Sequence, residues 1–311
     1  MPQHDDTTPG QTMTAAPLRS VLFMPASNPR AMAKARTLPC DAVALDLEDA
    51  VAPEAKADAR NLLIGAVNEG GFGHRRLIAR INAPGTPWHG DDLAALATLP
   101  PDSAPINAVL VPKIDVAADI AALSAAMDAA GYPAHVALWV MIETPRAVLA
   151  IERIAAMAAT TRLRGLMLGL NDLAKDTGMV QAPGRAAFLP VLVQVLLAAR
   201  SHGLIVLDGV CNAIDDADRL THECTQARDL GYDGKTLIHP AQIAVANAVF
   251  SPDPTALAQA RAVVAAFADP ANAGKGAIRV DGRMTELLHR DMAAKLIAMA
   301  DAIAGRDGRA L

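Results

Sequence analysis

The sequence is poor in aromatic residues and cysteine, and it lacks a long apolar run. Aromatic side chains make up 3% of its 311 residues, and the most apolar stretch, residues 188–199, is interrupted by proline and too short to span a bilayer. The three cysteines, Cys40, Cys211 and Cys224, are an odd number without the spacing of a metal site. We therefore expect a protein with no membrane span, cytoplasmic, with reduced thiols.

The chain also lacks an excess of positive charge. Its formal net charge is −5, which gives no overall reason to expect nucleic-acid binding, so any anion site must rely on a local basic cluster. Residues 1–17 are polar and lack the apolar core of a signal peptide. We expect them to form a disordered N-terminal tail.

What the chain does contain is a repeated alternation of strand and helix patterns. Eight short apolar runs, with polar or charged residues at their ends, are each followed by a helix-like stretch, which is typical of a (β/α)8 TIM barrel. We expect the barrel over residues 18–250, followed by a C-terminal helical extension over 251–311 that acts as a lid or subunit contact and whose last helix covers 285–304. The expected strands are 21–25, 42–49, 77–82, 108–113, 136–143, 165–172, 204–208 and 235–239.

Charged residues at the strand ends are candidates for chemistry, because the carboxyl ends of all eight strands of a TIM barrel meet at the face that carries the active site. Glu143 and Asp172 end neighbouring strands, and two carboxylates with room for water and substrate oxygens suit Mg²⁺ or Mn²⁺. The alternative is that each carboxylate only caps the helix that follows. The residues expected around this mouth are Glu48, Asp49, Arg80, Lys113, Glu143, Asp172, Asp208 and His239.

Two cations at strand ends have alternative explanations. Arg80 lies among apolar residues, where a buried arginine needs an anionic partner. That partner is an internal carboxylate, Glu48 or Asp49, or an anionic substrate, or both. Lys113 could form a Schiff base with a keto substrate, or it could pair with the acidic residues of the mouth.

Four further cations, which we call the basic patch, lie on the first two predicted helices. Arg30 and Lys34 are four residues apart and share one helix face, and Lys56 and Arg60 repeat this spacing on the second helix. Adjacent barrel helices would place all four near the mouth, where they suit a phosphorylated group. The alternative is a pair of solvated helix faces.

Several motifs occur in an order that resembles one known family. Leu-Glu-Asp stands at 47–49, Arg-Ile-Asn at 80–82, Val-Pro-Lys at 111–113, Ile-Glu-Thr at 142–144 and Ile-His-Pro at 238–240. Over residues 19–304 the chain resembles the citrate lyase beta-subunit-like acyl-CoA lyases of the HpcH/HpaI aldolase superfamily. The resemblance implies a TIM barrel, assembled as a homotrimer or hexamer, that uses Mg²⁺ to cleave or form 3-hydroxyacyl thioesters such as malyl-CoA and citramalyl-CoA.

The resemblance also implies roles for individual residues. Glu143 and Asp172 match the metal ligands, and Arg80 matches the arginine that holds the carboxylate or keto oxygen of the small fragment. Asn171 is a departure, because many members have Glu or Ile before the second ligand. Glu286 is another, because it replaces the Asp of a C-terminal Gly-x-Met-x-Asp motif that a neighbouring subunit supplies as acid or base. The residues matching CoA or substrate contacts are Phe23, Arg30, Lys34, Lys56, Arg60, Ile238 and His239.

We therefore expect a Mg²⁺-dependent lyase that splits such a thioester reversibly into acetyl-CoA and a 2-oxo acid. Arg80 would stabilise negative charge on the oxygen of the breaking bond, and Glu286 would exchange a proton with the thioester enolate. Glu48 and Asp49 would orient Arg80 and metal-bound water. Three alternatives remain open: a malyl-CoA-type thioesterase, a 2-oxo-acid aldolase that works without CoA, and a non-catalytic or obligate partner subunit that binds a CoA or acyl-carrier thioester.

Overall fold

The computed structural model describes residues 17–100 and 106–307. The chain divides into two compact units, one over Leu18–Phe250 and a second that takes in the residues from Ser251 onward. The tail expected over 1–17 lies, apart from Pro17, outside the described residues. No helix within the described ranges is long and apolar enough to cross a membrane.

The first unit is built on a closed barrel of eight parallel strands. Each strand pairs with the next along the chain, and the eighth returns to pair with the first. The TIM barrel predicted from the alternating patterns is therefore confirmed. The strands are β1 Ser20–Pro25, β2 Ala42–Asp46, β3 Arg76–Arg80, β4 Ile106–Val111, β5 Ala137–Ile142, β6 Leu163–Leu168, β7 Ile205–Asp208 and β8 Gly234–Leu237.

Helices follow the strands and pack against them. Several begin with proline in the first turn, as at Pro29 and Pro145, where the missing N–H costs nothing because it has no partner within the helix. Short 3-10 turns at Pro53–Ala55, Met157–Ala159, Ala186–Phe188 and Pro240–Gln242 extend some of the helices. The α-helices of this unit are α1 Pro29–Ala35, α2 Lys56–Glu69, α3 His89–Ala97, α4 Ala117–Ala129, α5 Pro145–Leu149, α6 Ile151–Ala156, α7 Leu170–Thr177, α8 Leu189–Ser201, α9 Ala217–Leu230 and α10 Ile243–Phe250.

Strand residues divide between two hydrophobic cores, because successive side chains point to opposite faces of a strand. One core fills the barrel and the other lies between strands and helices. Trp139 of β5 is the bulkiest residue of the inner core, and a Cβ atom at Gly165 of β6 would lie 2.6 Å from its ring. Only glycine fits at residue 165 beside this tryptophan, because close-packed carbon atoms do not approach to that distance.

The predicted end of the sixth strand is wrong. The pattern predicts a strand over 165–172, but β6 ends at Leu168 and α7 begins at Leu170. Gly169 makes the turn, and its N–H donates to the carbonyl of Ile142. Leu170 and Leu173 of α7 are both buried, so the apolar run continues through the turn and conceals it. The consequence is that Asp172 lies in the first turn of a helix and not at the end of a strand.

Five other strands end earlier than predicted. β2, β4, β5 and β8 stop before the charged residues assigned to their ends, and β3 stops at Arg80, because an apolar run in the sequence does not mark where strand pairing ends. Loops that follow barrel strands form the mouth of a TIM barrel, so the corrected positions remain on the predicted face. The candidate residues that move from strand to loop are Glu48, Asp49, Lys113, Glu143 and His239.

The second unit contains two helices, α11 Pro254–Ala268 and α12 Leu287–Asp307, and a hairpin of β9 Ala277–Val280 and β10 Arg283–Glu286. The helical extension is confirmed, but the last helix begins two residues later than the predicted start at residue 285. Asp281 and Gly282 have φ values of 48° and 80° and form the two-residue turn typical of a tight hairpin. The hairpin therefore incorporates Glu286, which sequence alone assigned to the helix.

Candidate active site

Two carboxylates that the sequence singled out, Glu143 and Asp172, converge on one ammonium group. Glu143 directly follows β5, and Asp172 lies in the first turn of α7. The Nζ atom of Lys113, in the loop after β4, is 2.6 Å from Oδ1 of Asp172 and 3.4 Å from Oε1 of Glu143. We call Glu143 and Asp172 the carboxylate pair. Both acidic groups lie within reach of a single cation.

The carboxylate of Glu143 is completely buried and only half satisfied. Its Oε1 accepts the backbone N–H of Lys113 at 2.8 Å, whereas its Oε2 has no hydrogen-bond partner. Burial raises the pKa of Glu143 to about 7, although the charge of Lys113 opposes the shift. A Cβ atom at Gly169 would lie 2.5 Å from both Cβ and Oε2 of Glu143. Glycine at residue 169 therefore leaves the space that this carboxylate occupies.

Lys113 has a left-handed backbone, with φ of 56°, which is unusual for a residue with a side chain. Burial alone would lower the pKa of its amine, but the hydrogen bond to Asp172 and the charges of Glu143 and Asp172 raise it above its usual value. A lysine that forms a Schiff base needs a neutral amine and a lowered pKa. The geometry therefore favours the charge-partner interpretation of Lys113 over the Schiff-base interpretation.

Arg80, the last residue of β3, is enclosed by acidic groups. Its Nε and Nη2 donate to the two carboxylate oxygens of Asp46 at 2.7 and 2.6 Å, and its guanidinium lies 4.8 Å from the centre of the Phe23 ring. Its Nη1 is 2.7 Å from Oε2 of Glu48, without the angles of a hydrogen bond, and 3.6 Å from Oδ2 of Asp49. Burial opposes the charge, yet these acids raise the pKa of Arg80 above its usual value.

Sequence reasoning identified Glu48 and Asp49 as partners of Arg80 but missed Asp46. Asp46 is the last residue of β2 and stands directly beside Arg80 in the strand register. A buried aspartate at the end of one strand next to a buried arginine at the end of its neighbour was the available signal. It was obscured because the second strand was predicted to continue to residue 49.

Glu48 is a second buried carboxyl beside the carboxylate pair. Burial raises its pKa to about 8, and the nearby acids Asp49 and Glu143 add to the effect while Arg80 opposes it. A carboxyl that keeps its proton near neutral pH can act as a proton donor as well as an acceptor. The mouth therefore combines the carboxylate pair and its lysine with an arginine held by Asp46 and a protonatable acid.

The basic patch divides into an exposed half and an engaged half. Arg30 and Lys34 of α1 are exposed. The buried ammonium of Lys56 donates to the carbonyls of Leu47 and Glu48 at 2.8 and 2.7 Å, and burial lowers its pKa. The guanidinium of Arg60 donates to Asp92 and lies 3.5 Å from Asp91 of α3. Two of the four cations thus already have internal partners.

The remaining predicted residues have simple local environments. Ile238 is 38% exposed in the loop after β8, and the exposed His239 accepts the N–H of Ala241 and caps the 3-10 turn at Pro240–Gln242. Glu286 belongs to the second unit, where its N–H donates to His289 at 3.0 Å.

Asp208 forms part of a buried ion cluster that sequence reasoning missed. Its carboxylate accepts from Arg185 at 2.8 Å and from Lys235 at 2.7 Å, and the fully buried Lys235 also lies 3.2 Å from Glu223. All the hydrogen-bonding capacity of this aspartate is used within the protein, so it has a structural environment. Nothing in the spacing of these residues along the chain indicated that they would meet.

The carboxylate pair has the donor set of a magnesium site. Carboxylate oxygens are the ligands that Mg²⁺ prefers, with water and substrate oxygens completing its shell. The unpartnered Oε2 of Glu143 is a buried polar atom that a cation would satisfy, and the ammonium of Lys113 already lies against both acids. Within residues 17–100 and 106–307 no three His, Cys, Asp or Glu side chains gather as a metal site, so the two carboxylates are the ligands available.

Known proteins resemble this chain in architecture and in sequence. The chain is 45% identical to a (3S)-malyl-CoA thioesterase of Cereibacter sphaeroides over 290 residues, covering 93% of this chain and 97% of that protein. An L-malyl-CoA/beta-methylmalyl-CoA lyase of the same species is 32% identical, covering 93% and 96%. The crystal structure of protein CitE from Mycobacterium tuberculosis, in complex with magnesium, acetoacetate and coenzyme A, matches with a TM-score of 0.73 and 31% identity, covering 93% of this chain and all of that one. Residues 19–240 match the HpcH/HpaI aldolase/citrate lyase family, and the chain belongs to that family.

Proposed function

We propose that this protein is a Mg²⁺-dependent thioesterase that hydrolyses (3S)-malyl-CoA or a closely related 3-hydroxyacyl-CoA. The observation that carries the proposal is 45% identity to a malyl-CoA thioesterase over nearly the full length of both chains. The lyase expected from sequence has weaker support, because the lyase relative is 32% identical. Hydrolysis adds water across the carbon–sulfur bond and releases malate and the CoA thiol.

Glu143 and Asp172 would hold the metal ion. Mg²⁺, when bound, supplies a Lewis acid for oxygen atoms of the substrate and of water. The charge of the carboxylate pair and the unpartnered Oε2 of Glu143 support this assignment. Mn²⁺ prefers similar oxygen ligands, and we expect it to support activity in place of Mg²⁺.

Arg80 and Glu48 would act on the substrate beside this position. Arg80 is always charged and would bind the free carboxylate of the malyl group, with Asp46 fixing the plane of its guanidinium. Glu48 is our candidate for moving a proton, since a pKa of about 8 lets its carboxyl hold a proton at neutral pH and release it during turnover. Asp49 would support Arg80 at its outer side.

The CoA portion would lie along the basic patch. Arg30 and Lys34 are exposed and available for phosphate groups. Lys56 and Arg60 are bonded to the carbonyl of Leu47 and to Asp92, and they would support the shape of the CoA surface without binding phosphate directly. We propose further substrate contacts from the family resemblance, made by Phe23, Ile238 and His239.

A second candidate is carbon–carbon cleavage of the same thioester to glyoxylate and acetyl-CoA. It is favoured by the lyase relative and by the CitE structure with acetoacetate and coenzyme A. In that reaction Glu286 would exchange a proton with the thioester enolate, in the place where the family pattern has aspartate. A homotrimer or hexamer, which could deliver Glu286 from a neighbouring subunit, stays a prediction.

The deciding experiment is incubation of the purified protein with (3S)-malyl-CoA and Mg²⁺, followed by excess EDTA. Free thiol without glyoxylate supports the thioesterase, and glyoxylate with acetyl-CoA supports the lyase. Glu143→Gln should lower either activity by roughly 100-fold or more, because the metal is worth several kcal/mol in such reactions. Glu152→Gln, at a side chain that is 73% exposed, is the matched control and should behave like the wild type. Binding of malyl-CoA without any turnover would instead support the non-catalytic subunit.

A further inference from the structure

The ammonium of Lys113 occupies the space between the two members of the carboxylate pair. It approaches Oδ1 of Asp172 to 2.6 Å and Oε1 of Glu143 to 3.4 Å. Two carboxylates that share one cation in a partly buried site repel each other unless a positive charge lies between them. Lys113 supplies that charge from within the chain.

The backbone of Lys113 holds the site together while its side chain remains able to leave. The N–H of Lys113 donates to Oε1 of Glu143 at 2.8 Å, in a left-handed conformation that costs free energy for any residue except glycine. The side chain is 34% exposed, so it is not enclosed by the protein on every side. The main chain positions Glu143, and the ammonium can move without disturbing it.

An ammonium and a metal ion compete for Oδ1 of Asp172 in this arrangement. Mg²⁺ binds carboxylate oxygen at about 2.0–2.1 Å. The Nζ atom already lies 2.6 Å from Oδ1 of Asp172, so a divalent ion on the same oxygen would meet a like charge at close range. The two cations therefore oppose each other's binding at this oxygen.

We propose that Lys113 is the internal counter-ion of the carboxylate pair and that it competes with the divalent metal, so that this residue sets the metal affinity of the site. The inference rests on the metal site of the proposed function and deepens it. It gives Lys113 a role outside the chemical step, as the residue whose positive charge offsets part of the negative charge of the carboxylate pair and so weakens metal binding there.

The test is the dissociation constant for Mn²⁺, measured by electron paramagnetic resonance on the full chain at fixed pH and ionic strength. Lys113→Met removes the ammonium but leaves a side chain at a position with positive φ, so the backbone strain remains. Lys113→Gly removes the ammonium and also the strain, because glycine adopts a positive φ readily. Both variants should bind Mn²⁺ at least about tenfold more tightly, since an opposite charge at this range changes the proton affinity of a carboxylate by about ten- to a thousandfold and a divalent cation meets the same repulsion. Lys175→Met removes an exposed lysine from α7 itself and should leave the dissociation constant unchanged.

The outcomes separate this inference from the metal site on which it rests. Unchanged or weaker Mn²⁺ binding in both Lys113 variants, with Lys175→Met like the wild type, would overturn the role of Lys113. A double variant, Glu143→Gln with Asp172→Asn, tests the site. If that variant binds Mn²⁺ as tightly as the wild type, the proposed metal site itself fails. The melting temperature of each variant with and without Mg²⁺ provides a second readout, and the rise caused by Mg²⁺ should be larger in both Lys113 variants.

Discussion

Asp46 holds the guanidinium of Arg80 through two parallel hydrogen bonds, from Nε to Oδ1 at 2.7 Å and from Nη2 to Oδ2 at 2.6 Å. The two residues end adjacent strands and are partners in the barrel register. A bidentate pair of this kind fixes both the position and the plane of the arginine. The orientation of Arg80 at the mouth is therefore determined by the barrel itself and not by a flexible loop.

Replacing Arg80 by lysine should damage both stability and activity. Lysine keeps the charge but cannot make the two parallel bonds, which leaves a buried carboxylate partly unpaired. We expect a loss of about 2–4 kcal/mol in the free energy of unfolding and at least about 100-fold in kcat/KM. Arg36→Lys is a matched control, because Arg36 makes a similar fork with Glu69 at the surface, where the loss should be about 1 kcal/mol or less. Equal losses in the two variants, measured by urea unfolding, would contradict this account.

Gly169→Ala should disturb the carboxylate pair without introducing backbone strain. The added Cβ would lie 2.5 Å from Cβ and Oε2 of Glu143, while φ at this position is −110° and acceptable for alanine. We expect weaker Mg²⁺ binding, measured by calorimetry, and a destabilisation of about 1–3 kcal/mol. Gly65→Ala in α2, where the new Cβ meets nothing within 4 Å, should instead stabilise the protein by about 0.5–1 kcal/mol. Retention of wild-type Mg²⁺ affinity by Gly169→Ala would count against Glu143 as a ligand.

The double replacement Arg30→Gln and Lys34→Gln should weaken binding of CoA thioesters selectively. Both side chains are exposed, so the melting temperature should not change. KM for malyl-CoA should rise about tenfold or more with kcat retained, because two phosphate contacts are lost. The malyl thioester of N-acetylcysteamine, which lacks the nucleotide, is the internal control, and its KM should be unaffected. An equal rise for both substrates would show that the two cations do not read the nucleotide portion.

Glu48 should make stability fall as the pH rises. Its ordinary pKa of 4.5 is raised to about 8 by burial, so between these values the folded chain keeps a proton that the unfolded chain releases. The stabilisation is complete below about pH 4.5 and is lost as the pH approaches 8. Glu48→Gln should therefore show a shallower decline than the wild type in urea unfolding at pH 5 and pH 8 with EDTA present. Glu152→Gln is the exposed control and should decline as steeply as the wild type.

The fold could be predicted because a TIM barrel repeats one simple pattern. Buried parallel strands are continuous apolar runs, and each is separated from the next by a helical period. The pattern fails where an apolar run crosses a turn, as between Leu168 and Leu170, and there a strand was predicted to continue into α7. The start of the last helix was also misplaced. Residues 285 and 286 belong to the second strand of a hairpin that turns at Asp281 and Gly282, and local periodicity does not report strand pairing.

The candidate site could be predicted only where strand order determines proximity. Glu143 and Asp172 follow adjacent strands, so their convergence required only the barrel. The contacts of Lys56 with two carbonyls, and the cluster of Asp208 with Arg185 and Lys235, depend on side-chain directions in three dimensions. Chain spacing carries no information about those directions, and these contacts were missed.

Trp139 and Gly165 lie side by side in β5 and β6, and the ring of one fills the volume that the other leaves empty. Neither position can therefore drift independently during divergence. A relative with even an alanine at the position of Gly165 must carry a smaller residue in place of Trp139. A relative with a smaller residue in place of Trp139 is stabilised by a larger residue at the position of Gly165, because that residue fills the space of the indole. We expect the two positions to change together across the family, because the total side-chain volume inside the barrel must stay nearly constant.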